Sequence, residues 1–314
     1  MSQSSLFIVH GNQKQYPAIL DDVQWELSRQ GEPGKLTFSL AYDNKVQIEE
    51  GDVVGFQWNG ANVFYGYLFS HSMTKDGEVE CIAYDQLRYL QNTDTITFDK
   101  VDAPELFNII KDSYGLTLGT IEKTGYRFSM VEDSATIFDM IGDFTDNVLI
   151  NKQRMYVMYD DFGEICYRDL ESAMGVGYLL TDKVAGDYDY EVSIDEQTYN
   201  RIVLTSEDGS ADQATDKESI YKYGLLQYTV SVDNVYNGLA KQVLELYNRP
   251  SKTLKITDAV GDVRVRAGSW IPVNLDLGFE VVSCPLIVEQ ITHKFKHGDY
   301  TMDMTLIGGK GFVA

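Results

Sequence analysis

Several groups of residues in this sequence have types and spacings that could do chemistry. Asp187, Asp189 and Glu191 alternate, so a strand would turn all three carboxylates to one face, where with further ligands they could hold a divalent ion. The same alternation also makes a solvated acidic face, and that plainer reading is the one adopted. His293 and His297 are four apart. On a helix they would form a zinc pair, but their surroundings read as strand, which sets them ~13 Å apart, and no HExxH accompanies them. They are expected as an exposed strand-and-turn pair. Gly34-Lys35 could close a phosphate loop, but the motif's first glycine falls on Arg29 and its Ser or Thr on Leu36, so the motif is broken. No G-x-S-x-G nucleophile elbow occurs. The chain has 48 acidic residues, so a carboxylate pair for glycan hydrolysis could be chosen almost anywhere, Asp160 and Asp161 included, and spacing alone selects none. His10 and His71 lie in or beside strand-like runs without a recognisable nucleophile arrangement and read as structural. Cys81, Cys166 and Cys284 are odd in number, far apart and in strand-like runs, which suits buried thiols rather than disulfides or a metal knuckle. No residue is therefore assigned a catalytic, cofactor-binding or metal-ligating role.

The elements that would position such residues are mostly strands. Residues 1–92 read as an N-terminal β-barrel of antiparallel hairpins, with runs at Leu6 to Val9, Val23 to Leu27, Lys35 to Leu40, Val53 to Trp58 and Phe64 to Phe69, and turns at Gly51-Asp52 and Asp76-Gly77. Residues 93–177 read as an α+β insert. Asp102 caps a first helix with Pro104 in its first turn and Gly115 at its end, Ser134 caps a second, and two strands meet at Asp160-Asp161-Phe162-Gly163. Residues 178–233 return to strand, followed by an acidic mobile loop at 206–219. Residues 234–250 are a helix capped by Asp233 or Asn234, and 251–314 are the strands of a C-terminal β-barrel with a fraying tail after Gly309.

Two segments repeat, and repeats constrain architecture strongly. Glu50-Gly51-Asp52-Val53-Val54-Gly55-Phe56 matches Ala267-Gly268-Ser269-Trp270-Ile271-Pro272-Val273 at a shift of 217, since 268 − 51 = 217. The stretch from Ser70 to Gly77 matches that from Thr292 to Asp299 at a shift of 222. This predicts two related barrels with Gly51 over Gly268 and His71 over His293, and five extra residues near the Asp276 to Ser283 loop of the second copy.

The formal charge of −22 excludes nucleic-acid binding through a basic face. From Asp182 to Glu218 there are eleven acids against Lys183, Arg201 and Lys217, either a solvated face or a surface past which DNA moves. No apolar run approaches the ~20 residues of a membrane-spanning helix and no signal pattern opens the chain, so a soluble protein made in the cytosol is expected.

The runs Glu49-Glu50-Gly51-Asp52-Val53-Val54, Phe64-Tyr65-Gly66-Tyr67-Leu68 and Tyr84-Asp85-Gln86-Leu87-Arg88-Tyr89-Leu90 resemble the tail baseplate hub family of phages, defective prophages and phage-tail-like bacteriocins. Tyr223-Gly224-Leu225-Leu226-Gln227, Arg266-Ala267-Gly268, Val288-Glu289-Gln290-Ile291-Thr292-His293 and Tyr300-Thr301-Met302 follow in the family's order. The resemblance implies a fold similar to the T-even phage hub. There, a homotrimer carrying two β-barrels per chain forms a pseudo-sixfold ring between tail tube and central spike. It implies tail tube, central spike and baseplate wedge proteins as partners, with DNA or a tape-measure protein passing through the channel without specific binding. It also implies assembly in the host cytoplasm, a final place in the tail baseplate, no membrane insertion, no cofactor and no enzymatic activity. Two rivals of other classes are a cell-wall glycan hydrolase using paired carboxylates and a carbohydrate-binding β module.

Overall fold

The computed structural model describes residues 4–20, 22–41, 46–75, 77–195, 198–206, 208–232, 235–296 and 298–308. The protein is mainly β, with several sheets. Strands β1 (Ser4–His10), β2 (Gln13–Gln15), β3 (Val23–Ser28), β4 (Lys35–Ala41), β5 (Val53–Trp58), β6 (Ala61–Met73) and β7 (Glu78–Tyr84) come first. They form where apolar residues alternate: β4 buries Leu36, Phe38 and Leu40 and leaves Lys35, Thr37 and Ser39 partly exposed.

After a 3-10 turn at Gln86–Gln91 come β8 (Thr93–Val101), α1 (Ala103–Tyr114), β9 (Leu118–Ile121), β10 (Phe128–Thr136), α2 (Ile137–Lys152), β11 (Tyr156–Asp160), β12 (Ile165–Asp169), α3 (Leu170–Ala173) and β13 (Leu180–Thr181). Helix α1 begins and ends as its sequence predicts. Asp102 and Glu105 form a reciprocal capping box, and Gly115 closes the helix in the left-handed region. Helix α2 begins later than expected. Its cap is Thr136, whose hydroxyl accepts from Asp139 N, while Ser134 lies inside β10 at φ +61°. The two helices and these strands enclose a core of Leu106, Phe107, Ile141, Phe144 and Tyr167.

The remaining elements are β14 (Asp187–Ser193), β15 (Arg201–Thr205), β16 (Ala211–Thr215), α4 (Lys217–Tyr223), β17 (Gln227–Ser231), α5 (Leu239–Tyr247), β18 (Ser251–Val260), β19 (Trp270–Asp276), β20 (Val281–Lys296) and β21 (Asp299–Ile307). The stretch 206–219, expected as a mobile loop, holds β16 and the start of α4. Ala211–Thr215 pairs with β15 throughout, and Asp216 caps α4 through Glu218 N and Ser219 N. Helix α5 starts only at Leu239, after Gly238 at φ +95°. The expected caps Asp233 and Asn234, and the tail from Gly309, lie outside the described residues. No helix among the described residues is long and apolar enough to cross a membrane.

The internal repeat is visible as strand order. Strands β3-β4-β7-β6-β5 are hydrogen-bonded neighbours in that order, and β14-β18-β21-β20-β19 repeat it with the same sequence order and antiparallel pairing. One irregularity coincides as well. A register shift interrupts β6–β7 between Leu68 and Ser70, and another interrupts β20–β21 between Val288 and Gln290. Gly51 N donates to Leu68 O and Leu68 N to Asp52 O, while Gly268 N donates to Val288 O and Val288 N to Ser269 O. Gly51 and Gly268 are therefore equivalent.

His71 and His293 are not. They sit on equivalent strands, but the pairings set His71 against Ile291 and Met73 against His293. Seven residues separate the facing pair Phe56 and Phe64, whereas ten separate their counterparts Val273 and Cys284, so the hairpin adds three residues rather than five. A further three lengthen the next hairpin, with five residues between Met73 and Val79 and eight between His293 and Met302.

The two sets have separate cores. Leu36, Phe38, Phe56 and Leu68 lie in one, and Leu254, Ile256, Ile271 and Met304 in the other. Among the described residues no strand pairing closes either set into a barrel. They run into one another as parts of a single 13-stranded sheet.

Candidate functional site

The two strand sets meet on β20. Its first half, Val281–Ile287, pairs with β19, and its second half, from Gln290 to Phe295, pairs with β3 of the other set. At this seam His293 faces Trp25 across the strands, and their rings stack with centroids 5.0 Å apart. His293 is completely buried, which corrects the expectation of an exposed residue; its companion His297 lies outside the described residues. Its Nε2 is 3.0 Å from the Val265 carbonyl and its Nδ1 is 2.7 Å from the Tyr300 hydroxyl. The carbonyl can only accept, so Nε2 carries the proton and Nδ1 accepts from Tyr300. Burial pushes this imidazole down to about 3, against the Val265 hydrogen bond. It is a neutral structural group, and among the described residues it belongs to no group of three or more His, Cys, Asp or Glu that could hold a metal.

Past His293 the seam ends in charge. Arg29 N donates to Glu289 O, and the Arg29 guanidinium is ion-paired with the Glu289 carboxylate at the residue where β20 shifts register. A second polar knot lies where both sets touch the α+β insert. Asp85, 3% exposed, accepts from Gly34 N at 2.9 Å and Leu87 N at 3.0 Å. Gly34 is required there because a Cβ would lie 2.4 Å from the Asp85 carboxylate. This is structural work for a glycine that failed as part of a phosphate loop. Gln86 Nε2 donates to Asp160 Oδ2, Gly163 O and Thr117 O, and Gln86 Oε1 accepts from Thr117 N. Arg266 donates to Asp160 O and lies over the Tyr159 ring at 4.3 Å. The Asp85 carboxyl stands well above its usual range because of burial first and Asp160 second. Asp160 is also raised by burial, opposed by Gly163 N, Gln86 and Arg266.

This arrangement holds three units together; it offers no acid to a substrate. The carboxylates of Asp85 and Asp160 accept from backbone and amide donors inside the protein, and neither residue lines the main clefts. The acid that does line a cleft and is shifted upward by burial is Asp146, on α2 beside Asp139, Asp143 and Arg29. These three carboxylates belong to one helix, and Glu32, from the turn between β3 and β4, lines the same cleft; only Asp146 among them is raised by burial, so the cleft holds acids without the paired acid and base environments that glycoside hydrolysis needs. Sequence reading passed over Asp146, Arg29 and the Asp85 knot, whose partners are far apart in the chain.

The other sequence candidates sit apart from the seam. His10 contacts the Asp52 carboxylate at 3.1 Å, and His71 contacts Glu50 at 3.0 Å, so each fastens a strand to the same glycine turn. Asp187, Asp189 and Glu191 alternate on β14, exposed. Among the described residues no group of three or more His, Cys, Asp or Glu has a metal-binding arrangement. Cys81 and Cys166 are buried and Cys284 is partly so, all three unpaired.

The model of the YQBQ-like family matches residues 23–307. The chain belongs to the YQBQ-like family. Within this family setting it is similar to the phage-like element PBSX protein XkdQ of Bacillus subtilis, 26% identical over 270 residues, which cover 83% of this chain and 82% of that protein. In fold it is similar to the 43 kDa tail protein of prophage MuSo2 from Shewanella oneidensis, with a TM-score of 0.71 at 12% identity over 97% of this chain and 98% of that one. The prophage tail protein gp18 from Listeria monocytogenes EGD-e gives a TM-score of 0.66 at 13% identity, covering 98% of this chain and 95% of that one. This YQBQ-like chain thus has the fold of prophage tail proteins from end to end, with both strand sets and the insert inside the matched region.

Proposed function

We propose that this protein is a structural hub of a phage tail or phage-tail-like particle. Three copies form a pseudo-sixfold ring that joins the tail tube to the central spike. The observation that carries this reading is the repeated strand set: one chain presents the same five-strand arrangement twice, with the same order, register shift and glycine turn. Three such chains offer six quasi-equivalent units, the number needed for a closed threefold ring to meet a sixfold tube. Each set, curled around its own core, serves as one barrel-like unit of that ring.

The tube, spike and baseplate wedge proteins are the partners in this reading, and DNA or a tape-measure protein crosses the channel without being held. Assembly takes place in the host cytoplasm and the finished ring sits in the tail baseplate. The role is not enzymatic, supported by solved structures of this fold that are tail proteins and by buried acids that serve the polar joints. Sedimentation of the purified chain together with cryo-EM of the parent particle tests the reading. A trimer at the tube–spike junction is expected, and a chain that stays monomeric in solution and in the particle overturns it.

A further inference from the structure

The repeat has one asymmetry that points outward. In the second set the edge of β20 from Gln290 to Phe295 is covered by β3. In the first set the equivalent edge, from Ser70 to Lys75, has no strand beside it among the described residues: β6 pairs with β5 only as far as Tyr67. At the far end of the sheet β14, the equivalent of β3, pairs with β18 on one side and, among the described residues, with no strand on the other. The chain therefore holds one occupied joint and the two separated halves of a second.

The halves match the occupied joint residue by residue. Trp25 faces Leu36 as Tyr190 faces Leu254, which aligns Val23-Gln24-Trp25-Glu26-Leu27-Ser28 with Tyr188-Asp189-Tyr190-Glu191-Val192-Ser193. Both strings place an aromatic, a Glu, an aliphatic and a Ser in succession. Where the joint is made, Trp25, Ile291 and His293 are at most 4% exposed. On the free halves Met73 is 54% exposed, Val192 52% and Tyr188 40%. Apolar side chains on an unpaired strand edge are a template for another strand.

We infer that β14 of one copy adds to the β6 edge of a neighbouring copy as an antiparallel strand, reproducing between chains the β3–β20 joint made within each chain. The register follows from the occupied joint: Ser70 against Ser193, His71 against Val192, Ser72 against Glu191 and Met73 against Tyr190. Met73 then covers Tyr190 as His293 covers Trp25. The contact is head-to-tail, so it closes only as a ring. With one joint inside each chain and one between chains, three copies make six joints of a single kind. The inference rests on the ring reading above and specifies the surface that makes it.

The test uses the full chain carrying Cys284→Ser, because that thiol is partly exposed. Ser70→Cys with Ser193→Cys sets two thiols opposite one another, within disulfide reach for facing antiparallel residues. Ser70→Cys with Asp189→Cys sets them four residues out of register, about 13 Å apart. Mild oxidation should close covalent trimers with the first pair and not with the second. Met73→Asp, on an exposed side chain, should leave circular dichroism and melting unchanged and weaken self-association on the order of tenfold or more. Equal cross-linking of both pairs overturns the register. A trimer that the Ser70/Ser193 pair does not cross-link overturns the strand joint and leaves the ring standing, whereas a chain that stays monomeric overturns the ring and the joint with it.

Discussion

The imidazole of His293 lies stacked on the indole of Trp25, and through this pair the second strand set rests on the first. The ring is neutral because burial outweighs its polar neighbours: its two nitrogens meet one carbonyl and one hydroxyl, and the nearby charges of Asp262 and Arg266 act in opposite senses.

A pH dependence follows. The folded state holds His293 down to about 3 while the unfolded value is near 6.5. Between these limits the unfolded chain binds the extra proton, so this group's stability is present above pH 6.5 and lost as pH falls toward 3, at up to about 1.4 kcal/mol per unit. Asp85 and Asp160 act in the opposite sense: their raised carboxyls bind protons in the folded state first, which favours folding as the solution becomes acid. The difference between wild type and His293→Phe isolates the histidine. Urea midpoints from pH 7 to 4 should fall more steeply in the wild type, and parallel slopes would refute the assignment.

Gly51 and Gly268 occupy equivalent turns at φ +95° and +82°, but only Gly268 faces the insert. A Cβ at Gly268 would lie 2.3 Å from Val157 Cγ1, whereas at Gly51 it meets nothing within 4 Å. Gly51→Ala should cost about 1–2 kcal/mol of backbone strain. Gly268→Ala should cost that and about 1–3 kcal/mol more for overpacking. Adding Val157→Ala should recover part of the second loss and none of the first. Equal losses in the two single variants, measured by chemical denaturation, would contradict this.

Most strands, the first helix and the glycine turn of the repeat were legible because each is written locally, in period-2 alternation, in Asp102 with Pro104 and Gly115, and in glycines that a left-handed turn demands. The register of the repeat was not. Two matching histidines suggested an alignment that two lengthened hairpins displace by two residues, and pattern matching cannot see which side of a loop absorbs an insertion. The kinship of β14 with β3 was hidden more deeply. Six residues separate β3 from β4, but 57 separate β14 from β18, since residues 194–250 intervene. The Asp85, Asp160 and Arg266 knot was illegible for the same reason, as its members come from three units. Alternation buries His293 with Ile291 and Phe295 on one face of β20; it was misplaced because it was read by residue type, as half of a pair with His297, and not by its strand period.

The carboxylates give a direct test of the non-enzymatic reading. Asp146 lines a cleft with its carboxyl raised by burial, so it comes nearest to an acid that could serve hydrolysis. Zymography of the chain and of the parent particle against cell walls should give no band from this protein, and Asp146→Asn, Asp160→Asn, Asp161→Asn, Asp187→Asn and Asp189→Asn should change nothing there. Asp85→Asn should be destabilising instead, by about 1–3 kcal/mol, because an amide can accept only one of the two backbone hydrogen bonds that the carboxylate accepts. A clear band abolished by one of the first five substitutions would replace the hub reading with a hydrolase.

The last prediction joins charge to assembly. Three copies carry 3 × −22 = −66 formal charges, so attraction between whole subunits cannot hold a ring; buried apolar and aromatic contacts must do so against repulsion. The proposed joint fits that requirement. Met73, Tyr188, Tyr190 and Val192 supply its apolar side chains, while Asp189 and Glu191 bring acids close to those of other copies. Salt should therefore strengthen the ring, because the Debye length shrinks from about 30 Å at 0.01 M to about 8 Å at 0.15 M and repulsion between subunits fades with it. The same acids suit a channel face past which DNA moves, since phosphate held by a basic lining would be released only with salt. Sedimentation across a salt series should show dissociation at low ionic strength and trimer at physiological salt. Tighter association at low salt, or a channel lined with Lys and Arg in the particle, would refute the picture.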